Sequence, residues 1–339
     1  MNLQFLTNNV QIKERVASFI HEWENDSLFF ESKTSGSTGI PKIIRIEKKH
    51  AAASAKATVD FLKLQPSDNS LLCLNPETIG GKMMIVRSYI NGMNLYVEEP
   101  TANPLKNTDI PFDFIAIAPI QLVAILQESP EKLRQIRCVI VGGGVIPEAT
   151  EQLLKQEKIT VLQTFGMTET ISHIALRKVG YEQENYYTTL NAISIQDSNG
   201  NLCIHAPLIG IPELITNDTV EVLNDHQFRW IGRTDFVINS GGVKIQVEEL
   251  EKQLQQFISQ KLFVHAKKDE KLGEKVVLIV EGPEQAILTS KVFYSFLENR
   301  YHIPKEVGFI PNFILTPSHK INRIANFGQL HEHCFKQIL

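Results

Sequence analysis

Nine consecutive residues, Thr34-Ser35-Gly36-Ser37-Thr38-Gly39-Ile40-Pro41-Lys42, combine small hydroxyl side chains, two glycines and a lysine. The glycines let successive backbone N–H groups turn toward one point, the hydroxyls add further donors, and Lys42 adds positive charge. Such a set converges on phosphate oxygens, so the segment reads as a triphosphate cradle. It is not a Walker A loop of the form G-x-x-x-x-G-K-[ST], because Gly36 and Gly39 stand too close together and Pro41 precedes the lysine. A simple Ser/Gly turn between two strands would not need nine residues so restricted in type.

A cradle must be entered and left through rigid elements, and strand-like runs Leu28–Glu31 and Ile43–Ile46 flank it. Further strands are expected at Ser70–Leu74, Phe114–Ala118, Cys138–Val141 and Thr160–Gln163. Between them His50–Leu62, Lys82–Tyr89, Ile120–Gln127 and Pro147–Gln156 carry apolar residues at helical spacing, with Pro119 and Pro147 where a first turn tolerates proline. This alternation predicts an α/β fold with a mostly parallel sheet. From about Asn191 to Trp230 short strands punctuated by Asn-Gly, Ala-Pro and Asn-Asp predict a small β-rich subdomain. Beyond Asp235 a helix near Val247–Ile258, strands near Leu262–Ala266 and Val276–Val280, and a helix near Ala286–Glu298 predict a small α+β C-terminal domain.

A chain of 339 residues, 43% hydrophobic and 21% charged, is long enough for two domains with sizeable cores. The net charge of −4 and the lack of a long basic run argue against a nucleic-acid surface. The longest nearly apolar stretch, Phe114–Leu126, falls short of the roughly 18 residues that cross a bilayer. The start lacks a basic n-region, so a cytoplasmic location is expected. Cys73, Cys138, Cys203 and Cys334 are scattered without CxxC spacing and suggest neither a zinc site nor disulfides. Composition leaves a homo-oligomer compatible with the chain.

The nine-residue loop closely resembles the phosphate loop of the adenylate-forming enzymes, the superfamily of acyl-CoA synthetases, luciferases and peptide-synthetase adenylation domains. Other segments resemble that family's signatures in the same order. Thr164-Phe165-Gly166-Met167-Thr168-Glu169 resembles its aromatic-Gly-x-Thr-Glu motif, which implies that Phe165 stacks near adenine, Thr168 contacts phosphate and Glu169 holds Mg²⁺. Gly142-Gly143-Gly144 resembles the glycine-rich wall beside adenine. Asp218 resembles the acceptor of the ribose hydroxyls, and Arg233 its arginine partner. Asp235 falls at the family's hinge, so the resemblance implies an N-terminal domain of residues 1–234 and a mobile C-terminal domain of 235–339. Ser240-Gly241-Gly242-Val243-Lys244 resembles the turn that lines the thiol tunnel, and Leu315-Thr316-Pro317-Ser318-His319-Lys320 resembles the C-terminal lysine motif, with His319 where glycine is usual.

The implied reaction has two steps, and the alternatives are another aryl- or acyl-CoA ligase, a stand-alone adenylation enzyme, or a catalytically silent homologue that only binds nucleotide. A small-molecule carboxylate attacks the α-phosphate of Mg·ATP with release of pyrophosphate, and the thiol of CoA then attacks the mixed anhydride. Lys320, Lys42, Thr38, Thr168 and Glu169 serve by positioning and charge neutralisation, without a protein nucleophile. Gly166 to His173 also resembles the short family members that join a succinylated aromatic acid to CoA, with His173 where glutamine is common. The carboxylate of such an acid that does not react needs a partner. Lys82 and Arg87, after the Gly80-Gly81 turn, lie in the segment that resembles the acyl pocket, although a spacing of five need not put them on one helix face. About thirty residues precede Thr34, so a truncated N-terminal domain is expected.

Overall fold

The strands most fully apolar in sequence become the most enclosed: Phe114-Ile115-Ala116-Ile117 is buried at every position, as are Val139, Ile140 and Val141. A computed structural model describes residues 1–33, 43–283, 293–294, 297, 299–316, 321–331 and 334–338. The chain divides into two compact units, one of Met1–Gln196, Cys203–Ile215 and Val222–Arg229, the other of Asp197–Leu202, Thr216–Glu221 and Trp230–Leu339.

The first unit begins with β1 (Asn2–Phe5), α1 (Val10–Glu24), β2 (Phe29–Lys33), β3 (Ile43–Glu47) and α2 (Lys48–Leu62). It continues with β4 (Asn69–Leu72), α3 (Ile79–Asn91), β5 (Asn94–Val97), β6 (Phe114–Ile117), α4 (Pro119–Glu128), α5 (Pro130–Arg134) and β7 (Cys138–Val141). Then come α6 (Glu148–Gln156), β8 (Thr160–Gly166), β9 (His173–Gly180) and β10 (Tyr187–Thr189). Strands β11 (Ser194–Ser198), β12 (Asn201–Ala206), β13 (Ile211–Asn224) and β14 (Gln227–Arg233) carry residues of both units. The sheet runs β1-β5-β4-β6-β7-β8-β9-β10-β14-β13-β12-β11. It is parallel from β1 to β8 and antiparallel from β8 through β9 and β10 to β14. The short strands expected as a small β-rich subdomain extend the same hydrogen-bonded sheet. Local punctuation marks their ends but carries no information about their non-local partners.

Side chains enclose one face of the parallel part: Leu71, Ile115, Ile117, Leu122, Val139, Val141, Leu154 and Val161 share one core. Helix ends are closed by local acceptors. Asn9 takes the N–H groups of Gln11 and Ile12 at α1, Thr78 takes that of Gly81 at α3, and Gly92 ends α3 in the left-handed region. Strands β2 and β3 pair antiparallel on either side of the nine-residue loop, from Phe29 opposite Glu47 to Lys33 opposite Ile43. Thr34, Ser35, Gly36, Ser37, Thr38, Gly39 and Lys42 themselves lie outside the described residues.

The second unit has its own smaller sheet, made of β15 (Val237–Ser240), β16 (Val243–Gln246), β17 (Leu262–Asp269), β18 (Gly273–Glu281), β19 (Glu306–Ile310) and β20 (Phe335–Gln337). Helices α7 (Val247–Gln255) and α8 (Arg323–Phe327) accompany it. Val247, Leu250 and Leu254, at helical spacing, place the apolar face of α7 in a core with Ile238, Ile245, Val264 and Leu278. The helix expected near Ala286–Glu298 falls mostly outside the described residues, although Phe293 and Leu297 are buried in this core.

Candidate active site

In the first unit, the end of β7 brings the glycine run against β8. The N–H of Gly142 continues the parallel ladder to Ile117 O at 3.0 Å. A Cβ on Gly142 would stand 2.6 Å from Thr164 Oγ1, so the close approach of these two expected nucleotide-site residues depends on glycine. Gly143 has φ +82°, and the site of its missing Cβ faces open space among the described residues. Gly144 lies near Pro119 at the start of α4.

Downstream, Phe165 is half-buried, with Tyr187 and Phe228 at ring-centroid distances of 5.6 and 5.0 Å. The β8–β9 register then slips between Phe165 and Gly166. At Gly166 a Cβ would lie 2.3 Å from Ser172 O, which shows how tightly the chain folds back over Met167–Ser172. Thr170, wholly buried, holds that turn: its Oγ1 accepts from Met167 N–H at 2.9 Å and donates to Ser172 O at 2.6 Å. Thr168 is left half-buried and Glu169 exposed at the tip. Thr170 was not singled out in the sequence; a hydroxyl residue bonding its own turn is the only local sign of such a staple.

The expected acyl-pocket residues separate into two groups. Gly81 packs its α-carbon where a Cβ would meet Asn75 O at 2.2 Å, while Gly80 has room against Leu74. Lys82 Nζ donates to Glu31 O at 2.6 Å, lies 3.6 Å from Glu22, and sits 4.7 and 5.4 Å from the ring centroids of Phe19 and Phe30. Burial is the main cause lowering its pKa. It thereby ties α3 to α1 and β2.

Arg87 points elsewhere. It is 1% exposed, fully enclosed on the inner side of α3. Its Nη2 donates to Ser172 Oγ at 2.8 Å and approaches His173 Nδ1 at 3.4 Å, while its Nε finds no partner and no carboxylate pairs with it among the described residues. Burial pushes the guanidinium down to about 9, so it remains a cation at neutral pH. His173 Nε2 lies 3.1 Å from Thr58 Oγ1, which donates to Ser54 O at 3.2 Å. The donors assign the tautomer: Arg87 can only give a hydrogen to Nδ1, so Nε2 carries the proton and gives it to Thr58.

Burial, then the charge of Arg87, holds His173 well below its usual 6.5. The folded state thus keeps His173 neutral while the unfolded chain protonates it, and stability falls as pH drops below 6.5 toward the native value. His173→Gln retains a donor and an acceptor and is expected to remove up to one proton of this dependence, about 1.4 kcal/mol per pH unit. Urea unfolding at a series of acidic pH values measures it. Parallel stability curves for the two proteins would mean that the native imidazole does accept the proton.

In the second unit, Asp218 on β13 is buried and its Oδ1 accepts from Trp230 Nε1 at 2.9 Å, a partner the sequence did not reveal. Arg233 ends β14, where its carbonyl accepts from Gln246 Nε2 at 2.7 Å. Thr234 Oγ1 lies 2.8 Å from Asn201 Oδ1 and 2.9 Å from Asn217 O, which fixes the chain just before Asp235. Gly241 and Gly242, with φ +58° and +82°, form the two-residue turn of the β15–β16 hairpin, closed by the Ser240–Val243 pair. Lys244 is exposed on β16. Lys320 lies outside the described residues, but its flanks are tied: Leu315 bridges to Ile321, and Asn322 N–H donates to Ile314 O at 3.0 Å.

A parallel sheet with a glycine-walled strand end and a stapled Thr-Glu turn defines the class. The chain belongs to the AMP-binding enzyme family, whose model matches residues 8–210. It is similar to a 2-succinylbenzoate–CoA ligase of Listeria monocytogenes serotype 4b, 27% identical over 339 residues that cover 90% of this chain and 71% of the relative. Among solved structures it resembles an acyl-CoA synthetase (AMP-forming)/AMP-acid ligase II-like protein from Dyadobacter fermentans, with 35% identity, 96% of each chain covered and a TM-score of 0.64. The fold also matches the o-succinylbenzoate CoA synthetase of Bacillus subtilis in complex with ATP and magnesium, at a TM-score of 0.74 and 21% identity, over 87% of this chain and 68% of that one.

Proposed function

We propose that this protein is an AMP-forming acid:CoA ligase whose acid is o-succinylbenzoate, acting in menaquinone synthesis. The observation that carries the substrate reading is Arg87: a buried cation without a carboxylate partner among the described residues, beside Ser172 and neutral His173. A buried charge is costly unless a counter-charge completes it, and an acid with a second carboxylate supplies one. The named activity of the Listeria relative supports the same acid.

In this reading Gly142–Gly144, Thr164, Phe165, Gly166 and Met167 receive the nucleotide together with residues 34–42, and Asp218 and Arg233 serve its ribose. Glu169 offers an exposed carboxylate of the hard-oxygen type that suits Mg²⁺, which would offset phosphate charge when bound. Lys320 would neutralise the charge that builds up as the carboxylate attacks the α-phosphate. Residues 235–339 form a mobile domain that turns about Asp235 to bring Gly241, Gly242 and Lys244 to the thiol of CoA.

The test is pyrophosphate release from the purified protein with Mg·ATP and o-succinylbenzoate, with and without CoA, followed by mass analysis. An o-succinylbenzoyl-CoA product is expected. Pyrophosphate without thioester would reassign the acceptor to another thiol, and turnover only with acids lacking a second carboxylate would remove Arg87 from its role.

A further inference from the structure

Three side chains that the proposed reaction does not use converge on neighbouring strands. Cys203 and His205 are two residues apart on β12 and share a face, and Glu213 comes from the adjoining β13. One ligand atom from each lies within 4.8 Å of the others, with Cys203 buried, His205 half-buried and Glu213 exposed. The cluster is closed on the protein side and open to solvent on the other.

We propose that Cys203, His205 and Glu213 bind one divalent transition-metal ion of the zinc class, leaving a fourth position to water. Thiolate, imidazole and carboxylate together suit Zn²⁺, whereas a sulfur ligand disfavours Mg²⁺ and Ca²⁺. The imidazole is oriented for the task. Its Nδ1 lies 2.9 Å from the carbonyl of Pro212, which can only accept, so Nδ1 carries the hydrogen and Nε2 presents its lone pair. A backbone carbonyl on the far nitrogen is the usual support of a metal-bound histidine.

That lone pair faces Cys203 Sγ at 3.5 Å. Zinc–sulfur and zinc–nitrogen bonds at a tetrahedral angle would set the same two atoms about 3.6 Å apart. Gln196 on β11 adds a donor, its Nε2 lying 3.7 Å from Cys203 Sγ, where it can steady a thiolate. Glu213 is exposed and can draw in the remaining distance without moving the core. Binding converts the Cys203 thiol and M²⁺ into a metal-bound thiolate and one released proton, so affinity rises with pH. Without an ion the 3.5 Å contact is an S–H···N hydrogen bond, and the two states absorb light differently.

The experiment is titration of the full chain, freed of metals by a chelator, with Co²⁺ as the probe and then with Zn²⁺. One equivalent of Co²⁺ should give a thiolate-to-cobalt charge-transfer band and intense tetrahedral d–d bands, which Zn²⁺ bleaches. Cys203→Ser should abolish the charge-transfer band. Glu213→Gln, at an exposed position, should weaken Co²⁺ binding about tenfold or more without changing the metal-free Tm. The proposal fails if no charge-transfer band appears, or if the band survives in Cys203→Ser, which would place Co²⁺ on Cys73, Cys138 or Cys334. If Cys203→Ser does not fold, wild-type Co²⁺ affinity in both His205→Gln and Glu213→Gln overturns it.

Discussion

Lys320→Ala is expected to slow pyrophosphate release about 10²–10³-fold, the loss typical of removing one group aimed at charge that develops in a transition state. A carboxylate anion approaching a phosphate meets like charge, and an ammonium placed between them is worth most at that moment. Lysine suits the position because its compact charge sits on a long stem and needs no fixed geometry. Other residues on both sides of residues 317–320 anchor the segment. Asn326, fully buried, accepts from Ile314 N–H at 2.8 Å and donates to Ile314 O at 2.8 Å, and Arg323 Nη2 pairs with Glu251 Oε2 at 2.7 Å. The variant should therefore melt like the parent. Since the proposed domain rotation withdraws the lysine before thiol attack, thiolysis of a supplied acyl-adenylate by CoA should keep its rate. An undiminished rate of pyrophosphate release, or an equal loss in both half-reactions, would take Lys320 out of the adenylation step.

Much of this architecture was legible because the relevant signals are local. The all-apolar runs at β6 and β7 announce enclosed strands, and the periodicity of α2 and α3 survives intact, with α3 extending to both sides of the expected Lys82–Tyr89. Less legible was β9, His-Ile-Ala-Leu-Arg-Lys-Val-Gly, whose polar residues break any simple alternation. Strands β11–β14 were readable as strands but not as an extension of the main sheet, since pairing partners leave no local trace. The same limit applies to the sites. The phosphate-type loop is visible in nine adjacent residues, whereas Cys203-x-His205 became a cluster only when β13 delivered Glu213. Thr170 carries no distinctive local mark, because its partners are backbone groups of the turn it closes. The surroundings of Arg87 are hidden for the same reason: its partners Ser172 and His173 lie near the start of β9, distant in sequence, and His173 is held in turn by Thr58 on α2.

Replacing Arg87 with methionine should separate substrate binding from folding. Methionine fills similar space without charge, and it removes a buried cation whose Nε has no partner among the described residues. An unpaired buried charge costs stability, so the substrate-free variant should melt no lower than the parent, despite losing the bond to Ser172 Oγ. Activity should move the other way. Removing one partner of a desolvated charge pair costs about 2–5 kcal/mol, so kcat/KM for o-succinylbenzoate should fall at least about 30-fold. For a substituted benzoate with no second carboxylate, kcat/KM should change little, because its reacting carboxylate goes to ATP rather than to Arg87. The charge itself persists through neutral pH, since burial lowers the guanidinium only to about 9, so the discrimination should not depend on assay pH in that range. If both acids lost activity equally and Tm fell, Arg87 would be a structural cation and the substrate's second carboxylate would need another partner. If selectivity collapsed while Tm held, the buried guanidinium would be the group that reads the dianion.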